Sequence, residues 1–148
     1  MSFKDMDPRY VLYGALSVLD NTIAALQSEQ FSDLTMKQHF LLVSIRMFEE
    51  SPTLGEISEL IGCSYQNVKR MAQQLQTKGY LEIRKDVYDR RKQRLCPTAK
   101  LKQFESDSQQ ISQQFMDKMY RDISLSDLHV TLSVIQKMTD NIRKSSVE

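Results

Sequence analysis

Between Thr53 and Gly79 the chain starts and stops a helix twice, and this punctuation restricts the fold more than any other feature of the sequence. Thr53 and Glu56 have the spacing of a capping box just after Pro52, Leu54, Ile57 and Ile61 face one way, and Gly62 ends the helix. Ser64 then caps a second helix in which Val68, Met71, Ala72 and Leu75 fall at i, i+3, i+4 and i+7, until Gly79 stops it. Two helices separated by Gly62 and Cys63 alone carry the signature of a helix-turn-helix. Any pair of antiparallel helices can share that spacing, so the outer face of the second helix has to decide. At 100° per residue that face shows Gln66, Arg70, Gln73 and Thr77, flanked by Asn67, Lys69 and Gln74, with no Asp or Glu on the helix. Solvated faces mix both signs, whereas Gln, Asn, Arg and Lys pair with base edges and phosphates in a major groove. The pattern predicts a recognition helix opened by Ser64 and Tyr65.

The charge distribution extends the argument. The chain has 148 residues and a net charge of +1, yet Ser64 to Lys102 holds eleven basic and three acidic residues, a net +8, and the remainder nine basic and sixteen acidic, a net −7. A charge block is by itself most often a solvated face; segregation this strong is the footprint of a surface for a polyanion. Its densest part is KDVYDRRKQRL, Lys85 to Leu95. Tyr80 to Lys85 alternates apolar and polar residues as a half-exposed strand does, and Arg94 to Cys96 can pair with it. The loop between them carries Tyr88, Asp89, Arg90, Arg91 and Lys92. A basic hairpin directly after a recognition helix is a wing, placed where a duplex backbone passes. Ser64, Tyr65, Gln66, Asn67, Lys69, Arg70 and Gln73 on the helix, with Arg84, Lys85, Arg90, Arg91 and Lys92 on the wing, are the candidate DNA-binding residues. A guanidinium suits the negative potential of a narrow minor groove, so Arg91 is the residue expected to enter it, with Asp89 two residues earlier on the same face holding it by a charge-assisted hydrogen bond.

Helices flank this lobe. Asp7 and Pro8 form a helix start, followed by Leu12, Leu16, Leu19, Ile23 and Leu26 at alternating spacings of 4 and 3, a seam suited to packing on another helix. A helix from Thr35, in capping-box spacing with Gln38, places Phe40, Leu41, Leu42, Val43, Ile45, Met47 and Phe48 around most of its circumference and is expected at the centre of the core. After the wing, Leu101, Phe104, Ser108, Ile111 and Phe115 continue the spacing from Thr98, and Leu128, Leu132, Ile135, Met138 and Ile142 do so in a last helix capped near Ser124 or Ser126.

Other chemistry finds little support. His39 and His129 have no carboxylate or cysteine at ligand spacing, and no phosphate loop, nucleophile elbow or HExxH occurs, so no metal, cofactor or enzyme activity is expected. Cys63 and Cys96 lie outside any CxxC and are expected as reduced thiols, Cys63 as a small apolar residue of the turn. No apolar run approaches a membrane span, and the start MSFKDMDPRY lacks the apolar stretch of a signal peptide, so a cytoplasmic location is expected. Core filling is the default for the eight Met, though they could line an adaptable ligand pocket.

From Thr53 to Thr98 the chain resembles the DNA-binding lobe of the MarR family of bacterial winged-helix regulators. "DRRKQRLCPT" is similar to that family's wing pattern of Asp-x-Arg, a variable stretch, an apolar residue and a helix-starting Leu-Thr. The resemblance makes Asp89 and Arg91 the paired wing residues, Leu95 the strand anchor and Thr98 the cap of the next helix; Pro97 in place of Leu, and Leu101 where Gly is frequent, mark a divergent member. It implies a homodimer, and most often a repressor. The expected fold is therefore mainly α, a winged helix-turn-helix with a small β-hairpin wing, having its DNA-binding lobe at 32–97 and helical dimerisation regions at 7–30 and 98–145. The expected function is sequence-specific binding of double-stranded DNA at a pseudo-palindromic operator, with a small-molecule effector possible and no membrane partner. Two alternatives come from other classes: a redox-responsive regulator acting through Cys63 or Cys96, and a helical interaction module without DNA affinity.

Overall fold

The computed structural model describes residues 6–30 and 33–145. Along these residues run α1 (Pro8–Gln30), α2 (Met36–Ile45), α3 (Leu54–Ile61), α4 (Tyr65–Thr77), β1 (Leu81–Lys85), β2 (Gln93–Pro97), α5 (Ala99–Met119) and α6 (Leu125–Ser145). The architecture is the expected one, mainly α with an antiparallel two-stranded hairpin. The chain forms two compact units, Met1–Asp107 and Ser108–Glu148, whose boundary falls within α5. The expected lobe boundary at residue 32 lies outside the described residues.

Side chains close the helix ends at the positions the sequence marks. Pro8 opens α1 behind Asp7, whose carboxylate accepts the Arg9 N–H at 2.9 Å. The side chains of Thr35 and Gln38 each accept the other's backbone N–H at 3.2 Å, and Thr53 and Glu56 form the same reciprocal box at 3.2 and 2.7 Å. Ser64 accepts the Asn67 N–H at 3.3 Å, Thr98 that of Leu101 at 3.4 Å, and Ser124, rather than Ser126, that of Asp127 at 3.1 Å. Each cap is worth about 1 kcal/mol because a first-turn N–H otherwise lacks a partner. Gly62 and Gly79 stop their helices at φ 67° and 80°, a region that costs a side chain strain.

The core of the first unit gathers one stripe from each short helix. Leu41, Leu42 and Ile45 of α2, Leu54 and Ile57 of α3, and Val68, Met71, Ala72 and Leu75 of α4 are buried together with Leu81, Leu95 and Leu101. Tyr80 stands just before β1 instead of inside it; it is buried, lies edge-on to Phe104 at 5.5 Å and donates its hydroxyl to Asp33 at 2.9 Å. Pro97 ends β2 opposite Leu81, a position that leaves the missing N–H without consequence on a two-stranded sheet, and Leu101 takes a fully buried place in the core.

One expectation fails. The second helix is not buried all round: Phe40, Val43 and Met47 are exposed, and Met47 and Phe48 lie past its end at Ile45. Apolar residues on all sides do not create neighbours on all sides, and the side of α2 that carries Phe40 and Val43 stays exposed. Exposed apolar side chains also run along α1, including Tyr10, Leu12, Tyr13, Val18 and Leu19. In the second unit α6 exposes Leu132, Ile135 and Ile142, while Leu128 and Met138 are half-buried.

Candidate nucleic-acid interface

The buried stripe of α4 fixes what its other side presents. With Val68, Ala72 and Leu75 fully covered, Ser64, Tyr65, Gln66, Asn67, Arg70, Gln73 and Thr77 are exposed and Lys69 is half-buried. Contacts at both ends hold the helix in place. At the start, the Ser58 hydroxyl donates to the carbonyl of Cys63 at 2.6 Å, tying the turn back onto α3. At the far end the buried Gln38 donates to Gln74 at 2.9 Å, and Lys100 donates to the Lys78 carbonyl at 2.7 Å, a cation placed where the helix dipole is negative. Gln76 accepts the Ile83 N–H at 2.6 Å, which links the helix directly to the wing. Gln74 is therefore a brace of the helix, although the sequence groups it with the outward face.

The wing pairs Ile83 with Leu95 on its core side and Glu82 with Cys96, then Arg84 with Arg94, on the other. Two arginines directly opposite would repel. Each is drawn to a carboxylate instead: Arg84 to Glu82 at 2.5 Å, and Arg94 to Asp86. Asp86 is the one acidic side chain buried in the hairpin. It accepts the N–H groups of Asp89 at 2.7 Å and Tyr88 at 2.9 Å as well as the Arg94 guanidinium, and these bonds, that from Asp89 foremost, pull its pKa down to about 2. Arg94 goes on to donate to the Ser51 carbonyl at 2.6 Å, and Leu95 donates its N–H to the Pro52 carbonyl at 2.8 Å, fastening the wing to the entry of α3.

At the tip, Asp89 and Arg91 form the pair expected from their spacing. The carboxylate accepts the Arg91 backbone N–H and its Nε, each at 3.1 Å, and Nη2 at 3.2 Å. The guanidinium bond is the main reason the Asp89 pKa lies below its ordinary value. All three acids of the basic block are thus engaged by arginines, while Lys69, Arg70, Lys85, Arg90 and Lys92 have no salt bridge among the described residues. The structure separates the predicted cations into two groups. Arg70, Lys85, Arg90 and Lys92 are exposed and uncommitted; Arg84 is partly compensated, and Arg91 is clipped but still exposed. Sequence reasoning passed over the Asp86–Arg94 brace. An Asp at the end of a strand, positioned to bond the N–H groups two and three residues on, is the local signal that could have found it.

The remaining candidates are less engaged. Cys63 and Cys96 are free and half-buried, the latter on the outward side of β2. His39 is half-buried at 6.3 Å from the Phe104 ring, and burial lowers its pKa. No group of three or more His, Cys, Asp or Glu among the described residues is placed to hold a metal ion, and no described helix is long and apolar enough to cross a membrane.

An amphipathic helix pair followed by a hairpin braced to its first helix defines a winged helix-turn-helix. Residues 32–92 match the model of the MarR family, and the chain has the winged-helix fold. Its fold is shared by a MarR protein from Peptoclostridium difficile, 20% identical with a TM-score of 0.75 over 98% of this chain and 94% of the other. It is shared as well by the Staphylococcus aureus MepR–DNA complex, 17% identical, TM-score 0.76, covering 93% and 99%. A third is the Streptomyces coelicolor regulator PcaV in complex with its natural ligand, 13% identical, TM-score 0.76, covering 95% and 96%. No curated protein matches the chain in sequence.

Proposed function

We propose that this protein is a cytoplasmic transcriptional regulator, a repressor, that reads a pseudo-palindromic duplex operator as a homodimer. The observation that carries the reading is the composition of one surface: a recognition helix whose outward side has no acidic residue, beside a wing whose cations outlast their internal pairing. On this reading Gln66, Asn67, Arg70 and Gln73 reach base edges in the major groove, Ser64, Tyr65, Lys69, Lys85, Arg90 and Lys92 meet phosphates, Arg84 adds charge near the wing base, and Arg91 enters the minor groove. The apolar seams of α1 and α6 support a second copy as partner, since a dimer would cover them and read two half-sites about one DNA turn apart. Solved relatives with DNA or a natural ligand support a DNA partner and a small-molecule effector.

Fluorescence anisotropy with a cognate and a random duplex tests the assignment of the helix. Gln66→Ala or Arg70→Ala should cost roughly 1–3 kcal/mol on the cognate site and less on random DNA, with the fold intact, because neither lies on the buried stripe. Equal losses on both duplexes would mean that these side chains touch phosphate only.

A further inference from the structure

Among the described residues the two most exposed large apolar side chains are Tyr88, at 95%, and Val87, at 83%, side by side at the wing tip. The turn does not require them. Its backbone is shaped by Asp86, which accepts the N–H groups of Tyr88 and Asp89, and by the Asp86 N–H, which reaches the Lys92 carbonyl at 3.0 Å. Small polar residues would serve such a loop equally well and without exposing apolar surface. Nor are the two mobile ornaments, since Arg94 ties Asp86 down and is itself anchored on Ser51. The tip thus holds an apolar pair on a fixed frame, between Asp86 and Asp89, which are paired with Arg94 and Arg91, and within a wider flank of Lys85, Arg90, Arg91 and Lys92.

That combination specifies its partner. Flanking cations of one sign repel a second wing and attract a polyanion. Of the surfaces a polyanion offers, the minor groove of a duplex sets the C–H edges of its deoxyriboses between two rows of phosphate. We infer that Val87 and Tyr88 form a second contact element of the wing, packing on the deoxyribose wall of the minor groove while Arg91, held by Asp89, lies along its floor. The inference rests on the proposed DNA-binding role and adds an apolar component to it. Because the frame is ordered before binding, little conformational freedom is lost when the contact forms.

Hydroxyl radicals attack deoxyribose hydrogens lining the minor groove, so footprinting of the full-length protein on its selected duplex reads this contact directly. Wild type should protect a short stretch flanking each half-site. The Val87→Ser/Tyr88→Ser double variant should lose that flank protection and bind roughly tenfold more weakly, with an unchanged salt slope because no phosphate contact is removed. Guanine N7 protection under α4 should persist in it, and Tyr88→Phe should keep both signals. Retained flank protection with affinity within about twofold of wild type would overturn the inference. So would a fall in the salt slope, which would make the pair mere supports for the cations, or joint loss of flank and N7 protection, which would make them supports of the fold. A wild-type protein that protects no duplex would instead overturn the DNA-binding role, and the wing contact with it.

Discussion

The winged lobe and α6 use the same helical periodicity and reach opposite ends. In the lobe, Val68, Met71, Ala72 and Leu75 meet stripes from α2 and α3 and vanish from solvent; in α6, Leu132 and Ile142 keep the same spacing yet remain 54% and 68% exposed. A stripe is a demand for a partner, and the lobe meets that demand within its own unit. The lobe's stripes are covered within the single chain, whereas on the proposed dimer the exposed side chains of α6 would be covered by a second copy.

Two leucine truncations separate the two regions. Leu75→Ala removes a fully buried side chain and should cost about 2–5 kcal/mol at any protein concentration, read by chemical denaturation. Leu132→Ala should leave a dilute protomer within about 0.5 kcal/mol of wild type but lower the concentration-dependent stability of the dimer, read by sedimentation and thermal melts over a dilution series. Equal, concentration-independent losses for both would erase the distinction. Glu at Leu16 and Leu19, by burying unpaired charge in the α1 seam, should give monomers or unfolded chains.

A smaller effect is expected at the wing tip. Arg91→Ala should weaken binding by about 1–3 kcal/mol, lower the salt slope by roughly one phosphate and leave the melting temperature unchanged. Asp89→Ala should weaken binding too, although it removes a negative charge, because the carboxylate holds Arg91 by three bonds. Tighter binding by Asp89→Ala would reduce its role to repulsion.

The last effect concerns Asp86, where β1 meets the wing tip. The folded-state pKa of Asp86, about 2, lies below the unfolded value of roughly 4. Its contribution to stability is therefore present in full above about pH 4 and lost as pH falls toward 2. Wild type should be more stable than Asp86→Asn at neutral pH, and the gap should close over that acidic window. A gap independent of pH would assign the effect to packing.

How much was legible in the sequence follows the range of the interaction. Capping boxes at Thr35–Gln38 and Thr53–Glu56 and the Asp89–Arg91 clip connect residues two or three apart, so their chemistry is visible in the spacing. The Arg94–Ser51 and Gln38–Gln74 bonds join residues that only tertiary structure brings together, and nothing local announces them, whereas the Asp86 end of the brace has its local signal in the bonds to the Tyr88 and Asp89 N–H groups. Phe40 and Val43 fail for the same reason in reverse. Hydrophobicity says that a residue would gain from burial, while the placement of neighbouring elements decides whether anything covers it.

Selection of bound duplexes from a random pool asks whether this surface reads duplex sequence through two related copies. A pseudo-palindrome with half-sites about one helical turn apart should be enriched, with two protomers on each selected duplex. Recovery of unenriched sequence, or of a single half-site bound by one protomer, would contradict that reading.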